Sequence, residues 1–379
     1  MPGEDKLATV GEDKHRILKP GRNPHLFRPI TIRDVTSRNR IMMSPMCQYS
    51  GDDGAPTDWH FAHLAARAVG GAGIVFTEVV HVEARGRITP YCLGLWNDDQ
   101  RDKLARIVDF IAAQGAVSAI QLGHAGRKAA ISRPWEGSEP LSPSNGGWEL
   151  IGPSAEPYDD KSRTPTAMNQ ATIDEVAAAF AASARRAREA GFRIVEIHAA
   201  HGYLIHEFLS TLSNRRNDAY GGDLAGRSRL LMDVLDAVRS EWPAELPLFL
   251  RLSSTEWVEG GYDLDDTVAL AKLIKARGDV DLIDCSSGGN DPAQKIPIFP
   301  GYQVRFAETI RREAEIATAA VGLVHTPEMA EEIIANGRAD IVALGRTLLD
   351  DPHWPLHAAK VLKAGDVVWP VQYERANIF

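Results

Sequence analysis

The chain contains few cysteines, and their spacing excludes several kinds of site. Its 379 residues include only Cys47, Cys92 and Cys285. An odd number of widely spaced cysteines is typical of reduced thiols in a cytoplasmic protein and not of a disulfide scaffold. No CxxC pair or cluster of Cys and His offers a zinc or iron–sulfur site, so we expect no metal.

Long apolar runs and excess positive charge are also missing. No run reaches the roughly 18 apolar residues of a transmembrane helix, and the N-terminus has no apolar segment typical of a secretory signal. The formal net charge is −9. Nucleic acids and anionic membrane surfaces select basic patches, so we expect neither as a partner.

The order of apolar segments indicates the fold. Short, almost continuously apolar runs alternate with amphipathic helical stretches, as they do when parallel strands are buried on both faces. Eight runs predict strands: 40–44, 73–78, 116–122, 192–198, 247–253, 280–286, 316–322 and 339–345. Eight strands favour an α/β fold of the (β/α)8 TIM-barrel type, with a doubly wound sheet as the alternative.

Other segments set the expected boundaries. The polar first 23 residues predict a flexible arm outside a single domain that spans 24–379. Residues 127–165 are rich in Pro, Gly, Ser and Trp and are too long for a plain connection, so they predict an excursion or lid at the active site. Thr172 and Glu175 have the spacing of a capping box, and Thr326 precedes a proline that can begin a helix.

Active sites of TIM barrels lie at the C-terminal ends of the strands, and these positions are unusually polar here. They carry Ser44 to Cys47, Glu78, Val79, Gln121, His198, Arg251, Ser286 to Gly289, Gly322, Gly345 and Arg346. A purely structural barrel would not require such residues at almost every strand end.

The ends of strands seven and eight favour a phosphate site. Gly322 and Gly345 would let backbone N–H groups approach an anion, and Arg346 can add charge-assisted hydrogen bonds. The alternative is that both glycines merely serve turns.

The segment HAAHGY (198–203) places three functional groups after strand four. His198 and His201 could donate to one oxygen, and Tyr203 could donate a proton. Two alternatives remain on spacing alone: a metal pair, or one histidine that is simply a satisfied buried residue.

Gln121 and Arg251 are expected at the same mouth, on strands three and five. A cation and an amide suit a ring whose reduced form is anionic, as that of a flavin is. Arg251 could instead form an ion pair with a neighbouring acid, and Cys47 could be a small core residue.

Five segments together resemble the old yellow enzyme family, and specifically its thermophilic-like, YqjM-type subgroup. They are NRIMMSPMCQYS (39–50), IQLGHAGRKA (120–129), EIHAAHGYLIHEFLSTLSNRRNDAYGG (196–222), VGLVHTPEMAEEIIANGRADIVALGR (321–346) and QYER (372–375). The resemblance extends from about His25 to the C-terminus.

The resemblance implies a TIM barrel that holds FMN non-covalently at its mouth. The residues that would contact FMN are Ser44, Pro45, Met46, Cys47, Val79, Gln121, His198, Arg251, Gly322, Gly345 and Arg346. Gln121 and Arg251 would bind the edge of the ring, and the glycines with Arg346 would hold the phosphate. Val79 departs from the family pattern, in which a smaller alanine is usual.

The resemblance also implies the residues that handle the substrate. His198 and His201 would bind its carbonyl oxygen, Tyr203 would donate the proton, and Tyr49 would help form the pocket. Arg375 would reach the active site of a neighbouring subunit, which requires a homodimer or a dimer of dimers.

The function implied is that of an ene-reductase. NADPH, or NADH, would reduce FMN, which would then transfer hydride to the C=C bond of an α,β-unsaturated carbonyl compound in a ping-pong cycle. Two other functions stay open: a flavin-free, metal-assisted lyase or isomerase, and a flavoprotein that senses redox state through Cys47.

Overall fold

The structure is a computed structural model that describes residues 23–377. The predicted N-terminal arm lies outside the described residues except for Asn23, whose side-chain amide donates to the Asp366 carboxylate over 3.1 Å. The last two residues of the chain also lie outside them.

Eight parallel strands form a closed barrel, as the sequence predicts. They are β1 (Ile41–Met43), β2 (Ile74–His81), β3 (Val117–Gly123), β4 (Ile194–Ala199), β5 (Leu248–Ser253), β6 (Leu282–Ser286), β7 (Ala317–Ala320) and β8 (Ile341–Leu344). Strand β8 closes the barrel on β1, with Val342 opposite Ile41. The alternative of a doubly wound sheet is therefore wrong.

Helices surround the barrel, and the longer ones present an apolar stripe to it. They are α1 (Asp58–Val69), α2 (Asp98–Ala113), α3 (Gln170–Glu189), α4 (Leu204–Leu209), α5 (Leu224–Arg227), α6 (Arg229–Glu241), α7 (Leu264–Arg277), α8 (Val304–Ala314), α9 (Pro327–Ala335), α10 (Arg346–Asp350) and α11 (Trp354–Val361). No described helix is long and apolar enough to cross a membrane.

Helix capping confirms one local prediction and corrects another. Thr326 caps α9 by accepting from the Met329 N–H. The predicted capping box at Thr172 is wrong, because α3 begins earlier and Asn169 accepts from the Thr172 N–H. Asparagine is as good an N-cap as threonine, so the true start is physically equivalent.

Strand β2 runs beyond its predicted end. The register to β3 shifts between Phe76 and Val79, and the strand continues to His81. The bulge places Val79 opposite Gln121, whereas Glu78 lies inside the strand and is buried. The expectation that Glu78 lies at the strand end is therefore wrong.

Two short pairs of strands lie outside the barrel sheet. An antiparallel pair, Ile30–Ile32 with Val35–Ser37, precedes β1, and Arg33 in its turn pairs with Asp281 at the start of β6. At the other end, the excursion after β3 contains three short 3₁₀ turns and a two-residue strand, Ile151–Gly152, that pairs with Thr166–Ala167.

Candidate active site

A cavity of about 290 Å³ opens at the C-terminal end of the barrel, and we call it the main cavity. Its lining is Ser44, Pro45, Met46, Cys47, Val79, Gln121, His198, His201, Tyr203, Arg251, Gly345, Arg346 and Leu349. All but Leu349 were predicted as site residues from the sequence.

A second cavity, of about 180 Å³, adjoins the main cavity through Gly345 and Arg346, and we call it the glycine cavity. Gly322 lines it with φ +132°, a conformation that favours glycine. At Gly345 a Cβ atom would meet only the Met46 sulfur, at 3.6 Å, so the backbone there is open to an approaching group.

We call Gln121 and Arg251, with the acids that contact them, the floor of the main cavity. The register of the strands brings these polar residues together. Gln121 lies opposite Glu196, and Arg251 lies between His198 and Asp284. Glu196 and His198 are two residues apart on β4 and therefore point to the same side of the strand.

Two buried acids, Glu196 and Asp284, contact Gln121 and Arg251. Gln121 Nε2 donates to Glu196 Oε1 over 2.8 Å, which fixes the orientation of the amide. Arg251 Nε lies 3.1 Å from an Asp284 carboxylate oxygen, an ion pair whose alignment does not meet hydrogen-bond geometry. Its Nη2 donates to Ser44 Oγ over 3.1 Å. The ion pair that was weighed for Arg251 does exist, and the guanidinium also lines the cavity.

Burial raises the pKa values of both acids. Desolvation and then the charge of Asp284 raise the pKa of Glu196, while desolvation raises the pKa of Asp284 against the opposing effect of Arg251. Since Asp284 is the one beside the cation, it is the acid that ionises first. The floor then carries one guanidinium, one carboxylate and one neutral carboxyl group.

The two histidines lie edge to face with their ring centroids 5.1 Å apart. His198 Nδ1 accepts from the Ala200 N–H over 3.3 Å, which assigns the ring proton to Nε2. That Nε2 lies 3.4 Å from His201 Nδ1, and His201 Nε2 lies 2.6 Å from Ser286 Oγ. A substrate oxygen that accepts from both rings must therefore displace these contacts.

Both imidazoles are held neutral. Desolvation, followed by the charges of neighbouring groups, lowers the pKa of His198 and that of His201 well below the usual value. Arg251 is among the charges acting on both. Neutral rings keep one N–H donor each over a wide range of pH.

Tyr203 stands at the N-terminus of α4, edge to face with His198 at 5.1 Å. Burial raises the pKa of its phenol, which therefore retains its proton. Lys128 Nζ lies 5.1 Å from the centroid of the Tyr203 ring and donates to the carbonyl oxygens of His201 (2.9 Å) and Gly289 (2.8 Å).

Those two carbonyls belong to residues with positive φ. His201 has φ +60° and Gly289 has φ +94°, and a Cβ on Gly289 would lie 2.6 Å from the backbone of His201. Lys128 therefore joins the turn after β4 to the loop after β6 where the two approach most closely.

Cys47 is a neutral thiol in this environment. Burial and then the charge of Glu78 raise its pKa well above the usual value. His60 Nε2 lies 3.1 Å from Glu78 Oε1, so the acid is paired beneath the cysteine loop. A redox sensor requires a thiolate, so these surroundings disfavour sensing through Cys47.

Two predicted residues lie outside both cavity linings. Tyr49 packs beside Cys47 and Tyr203 in one apolar cluster and stacks edge to face on Trp135 at 6.0 Å. Arg375 lies on an exposed 3₁₀ turn, Val371–Ala376, and one chain alone does not bring it to the cavity.

Sequence reasoning missed the residues that support the site. Glu196 and Asp284 were visible as single charges within otherwise apolar strands, and that contrast could have identified them. Lys128 gave no such signal. Among residues 23–377, no group of three or more His, Cys, Asp or Glu side chains could hold a metal ion.

Comparisons with known proteins agree with this geometry. Residues 25–364 match the NADH:flavin oxidoreductase / NADH oxidase family. An NADPH dehydrogenase from Geobacillus sp. (strain WCH70) is 50% identical over 352 residues, which cover 92% of this chain and 98% of that protein. An NADPH dehydrogenase from Bacillus subtilis (strain 168) is 47% identical over 352 residues, with coverage of 92% and 98%.

Solved structures with the same barrel are more distant in sequence. Morphinone reductase has a TM-score of 0.75 at 25% identity, covering 93% of this chain and 94% of its own. A 2-naphthoyl-CoA reductase in complex with 2-naphthoyl-CoA has a TM-score of 0.81 at 28% identity and 89% coverage of this chain. The chain spans about half of that reductase, 52% of its length.

Proposed function

The chain belongs to the NADH:flavin oxidoreductase / NADH oxidase family, known also as the old yellow enzyme family, and on that premise we propose that it is an ene-reductase. In this proposal NADPH is the reductant, FMN is the cofactor, and an α,β-unsaturated carbonyl compound is the substrate. The observation that carries it is a single cavity in which two neutral histidines and a protonated tyrosine face a floor of Gln121 and Arg251.

The residues present fit FMN. The main cavity and the glycine cavity join at Gly345 and Arg346, as a ring with a phosphate-bearing chain requires. Gln121 and Arg251 offer an amide and a cation to the ring edge, and Arg346 offers an exposed guanidinium to the phosphate. When bound, FMN supplies the redox chemistry, because it accepts hydride from NADPH and gives hydride to the activated alkene.

The histidines bind and polarise the substrate. In the proposal His198 Nε2–H and the N–H of His201 donate to the carbonyl oxygen, in place of their contact with each other and with Ser286. Donors that strengthen as negative charge develops on that oxygen lower the barrier to attack at the β-carbon.

Tyr203 supplies the proton. Its phenol is neutral because burial raises its pKa, and its ring lies against His198 on the side where the carbonyl would be held. Protonation of the α-carbon completes the reduction and leaves a tyrosinate, which the ammonium of Lys128, 5.1 Å from the centroid of its ring, would stabilise.

One main cavity serves both half-reactions. One set of donors, His198, His201 and Tyr203, lines the main cavity, so the nicotinamide and the alkene would enter in turn beside the flavin ring. This sharing is the structural basis for proposing a ping-pong cycle.

The spectrum of the purified protein tests this function. We expect a yellow protein that anaerobic NADPH bleaches and that cyclohexenone then restores to yellow. A colourless protein, or a reduced flavin that the enone fails to reoxidise while oxygen does so, would contradict the proposal.

We also propose that Arg375 completes the site of a second copy. The segment that carries it is apolar and exposed in one chain: Val368 is 79% exposed and Val371 is 78% exposed. A homodimer or a dimer of dimers would cover this surface and could place Arg375 beside the neighbouring cavity.

A further inference from the structure

A third cavity, of about 250 Å³, lies within the excursion after β3, and we call it the cationic cavity. Four cationic side chains line it, against two acidic ones. They are Arg127, Lys128, Lys161 and Arg163, with Glu139 and Asp159. The whole chain carries a net charge of −9, so this local excess of positive charge runs against the composition.

The linings of the cationic cavity and the main cavity meet in one apolar cluster. Its apolar lining includes Ala129, Ile131 and Leu150, which belong to a cluster that also contains Cys47 and Tyr203. The two cavities therefore lie on either side of residues that pack together in this cluster.

Lys128 links the two cavities more directly. Its ammonium lies 5.1 Å from the centroid of the Tyr203 ring, which lines the main cavity, and 4.8 Å from that of Tyr158, which lines the cationic one. Lys128 therefore lies between one aromatic ring of each cavity, which is where an elongated ligand would pass to occupy both.

Most of the charged groups of the cationic cavity already have partners. Arg127 and Arg163 donate to backbone carbonyls, which holds the excursion together. Asp159 Oδ1 accepts from the N–H groups of Lys161 (3.0 Å) and Ser162 (2.8 Å), so that carboxylate is occupied by its own turn.

Lys161 is the exception. Its side chain is exposed and makes no hydrogen bond or ion pair with the residues that the structure describes. It is the cation of this cavity that can bind an anion without losing an existing contact.

We propose that the cationic cavity binds the phosphate-bearing adenosine arm of the reduced nicotinamide dinucleotide while the nicotinamide ring occupies the main cavity. Phosphate groups are the anions that such a cluster recognises, and the extra 2′-phosphate is what distinguishes NADPH from NADH. Lys161 is then a residue that binds a phosphate group of the dinucleotide, and it sets the preference for NADPH if that group is the 2′-phosphate. The proposal rests on the proposed function, because it needs a dinucleotide reductant.

The direct test is binding of adenosine 2′,5′-bisphosphate, the adenosine half of NADPH, to the FMN-loaded enzyme by calorimetry. K161E should raise the Kd of this probe by about fivefold or more, which is the effect expected from reversing one exposed charge. K272E makes the same change on the outer face of α7 and should alter the Kd by less than about twofold. Equal Kd values for wild type and K161E would overturn the proposal.

Reduction of the flavin identifies which phosphate is bound. If K161E weakens NADPH alone in stopped-flow reduction, the 2′-phosphate lies in the cationic cavity; if it weakens NADPH and NADH equally, the pyrophosphate does. No change with either dinucleotide overturns the proposal. Failure of the proposed function gives a different result: the wild-type protein would then hold no flavin, its flavin would not be reduced by either dinucleotide, or the reduced flavin would not be reoxidised by the enone.

Discussion

Replacing Lys128 with methionine should slow the reaction with the enone while leaving FMN in place. Methionine keeps the length of the side chain but removes the donor to the carbonyls of His201 and Gly289. It also removes the cation beside the Tyr203 ring. We expect reoxidation of the reduced flavin to slow by about 10- to 100-fold, since a misplaced donor commonly costs this much.

The effect of the same substitution on stability depends on pH in a defined way. Burial lowers the pKa of Lys128 to about 8 from 10.5, so the folded state releases this proton before the unfolded state does. Stability from this group is therefore lowest below pH 8 and rises between pH 8 and 10.5, by up to about 3 kcal/mol at 1.36 kcal/mol per pKa unit. K128M should remove that rise, while loss of the two hydrogen bonds offsets part of the gain at neutral pH.

A neighbouring acid, Glu207, changes stability over a different range of pH. Burial raises the pKa of Glu207 to about 8, so this acid makes stability fall as pH rises between 4.5 and 8. The charges of Glu207 and Arg127 act on Lys128 in opposite directions. Urea unfolding from pH 6 to 10 on wild type, K128M and E207Q separates the two contributions.

The kinetic assay measures only the half-reaction in which the enone reoxidises the flavin. The flavin is photoreduced without NADPH and mixed with cyclohexenone, and reoxidation is followed from pH 6 to 10. The wild-type rate should fall as pH passes about 8, where Lys128 loses its proton, and K128M should lack that fall. K272M, on the outer face of α7, should behave as wild type. A K128M rate within about twofold of wild type would refute the positioning role.

R346A should fold yet retain little FMN after dialysis, because a charge-assisted phosphate contact contributes about 1.5–3 kcal/mol; wild-type occupancy would contradict this. H198A or H201A should slow enone turnover by about 100- to 1,000-fold, far more than either slows flavin loading, and wild-type activity that a chelator removes and zinc restores would indicate a metal site instead. Y203F should spare reduction by NADPH and slow reoxidation by the enone, whereas equal loss in both half-reactions would indicate a structural role. R375A subunits mixed with subunits lacking both histidines should regain partial activity if sites are shared between copies, and a fully active R375A dimer would exclude sharing.

The sequence predicted the barrel because strands buried on both faces must be apolar and must alternate with helices. It also located Gln121 and Arg251, since parallel strands bring their C-terminal ends to one mouth. Asn169 was missed as the cap of α3 because several polar residues there can cap a helix, and only the backbone conformation selects one. Lys128 was missed because its partners are backbone carbonyls 73 and 161 residues away, and backbone acceptors have no signature in sequence.

The charges around the main cavity explain how three donors stay protonated without a carboxylate among them. Burial lowers the pKa of His198 and His201, and the positive charge of Arg251 lowers both further, so the rings donate as neutral groups. Burial raises the pKa of Tyr203, so the phenol also donates as a neutral group. Asp284 on β6 pairs with Arg251, Glu196 on β4 accepts from Gln121, and neither acid lines the main cavity. A substrate oxygen therefore meets neutral donors backed by fixed positive charge, which is the arrangement that stabilises an enolate as it forms.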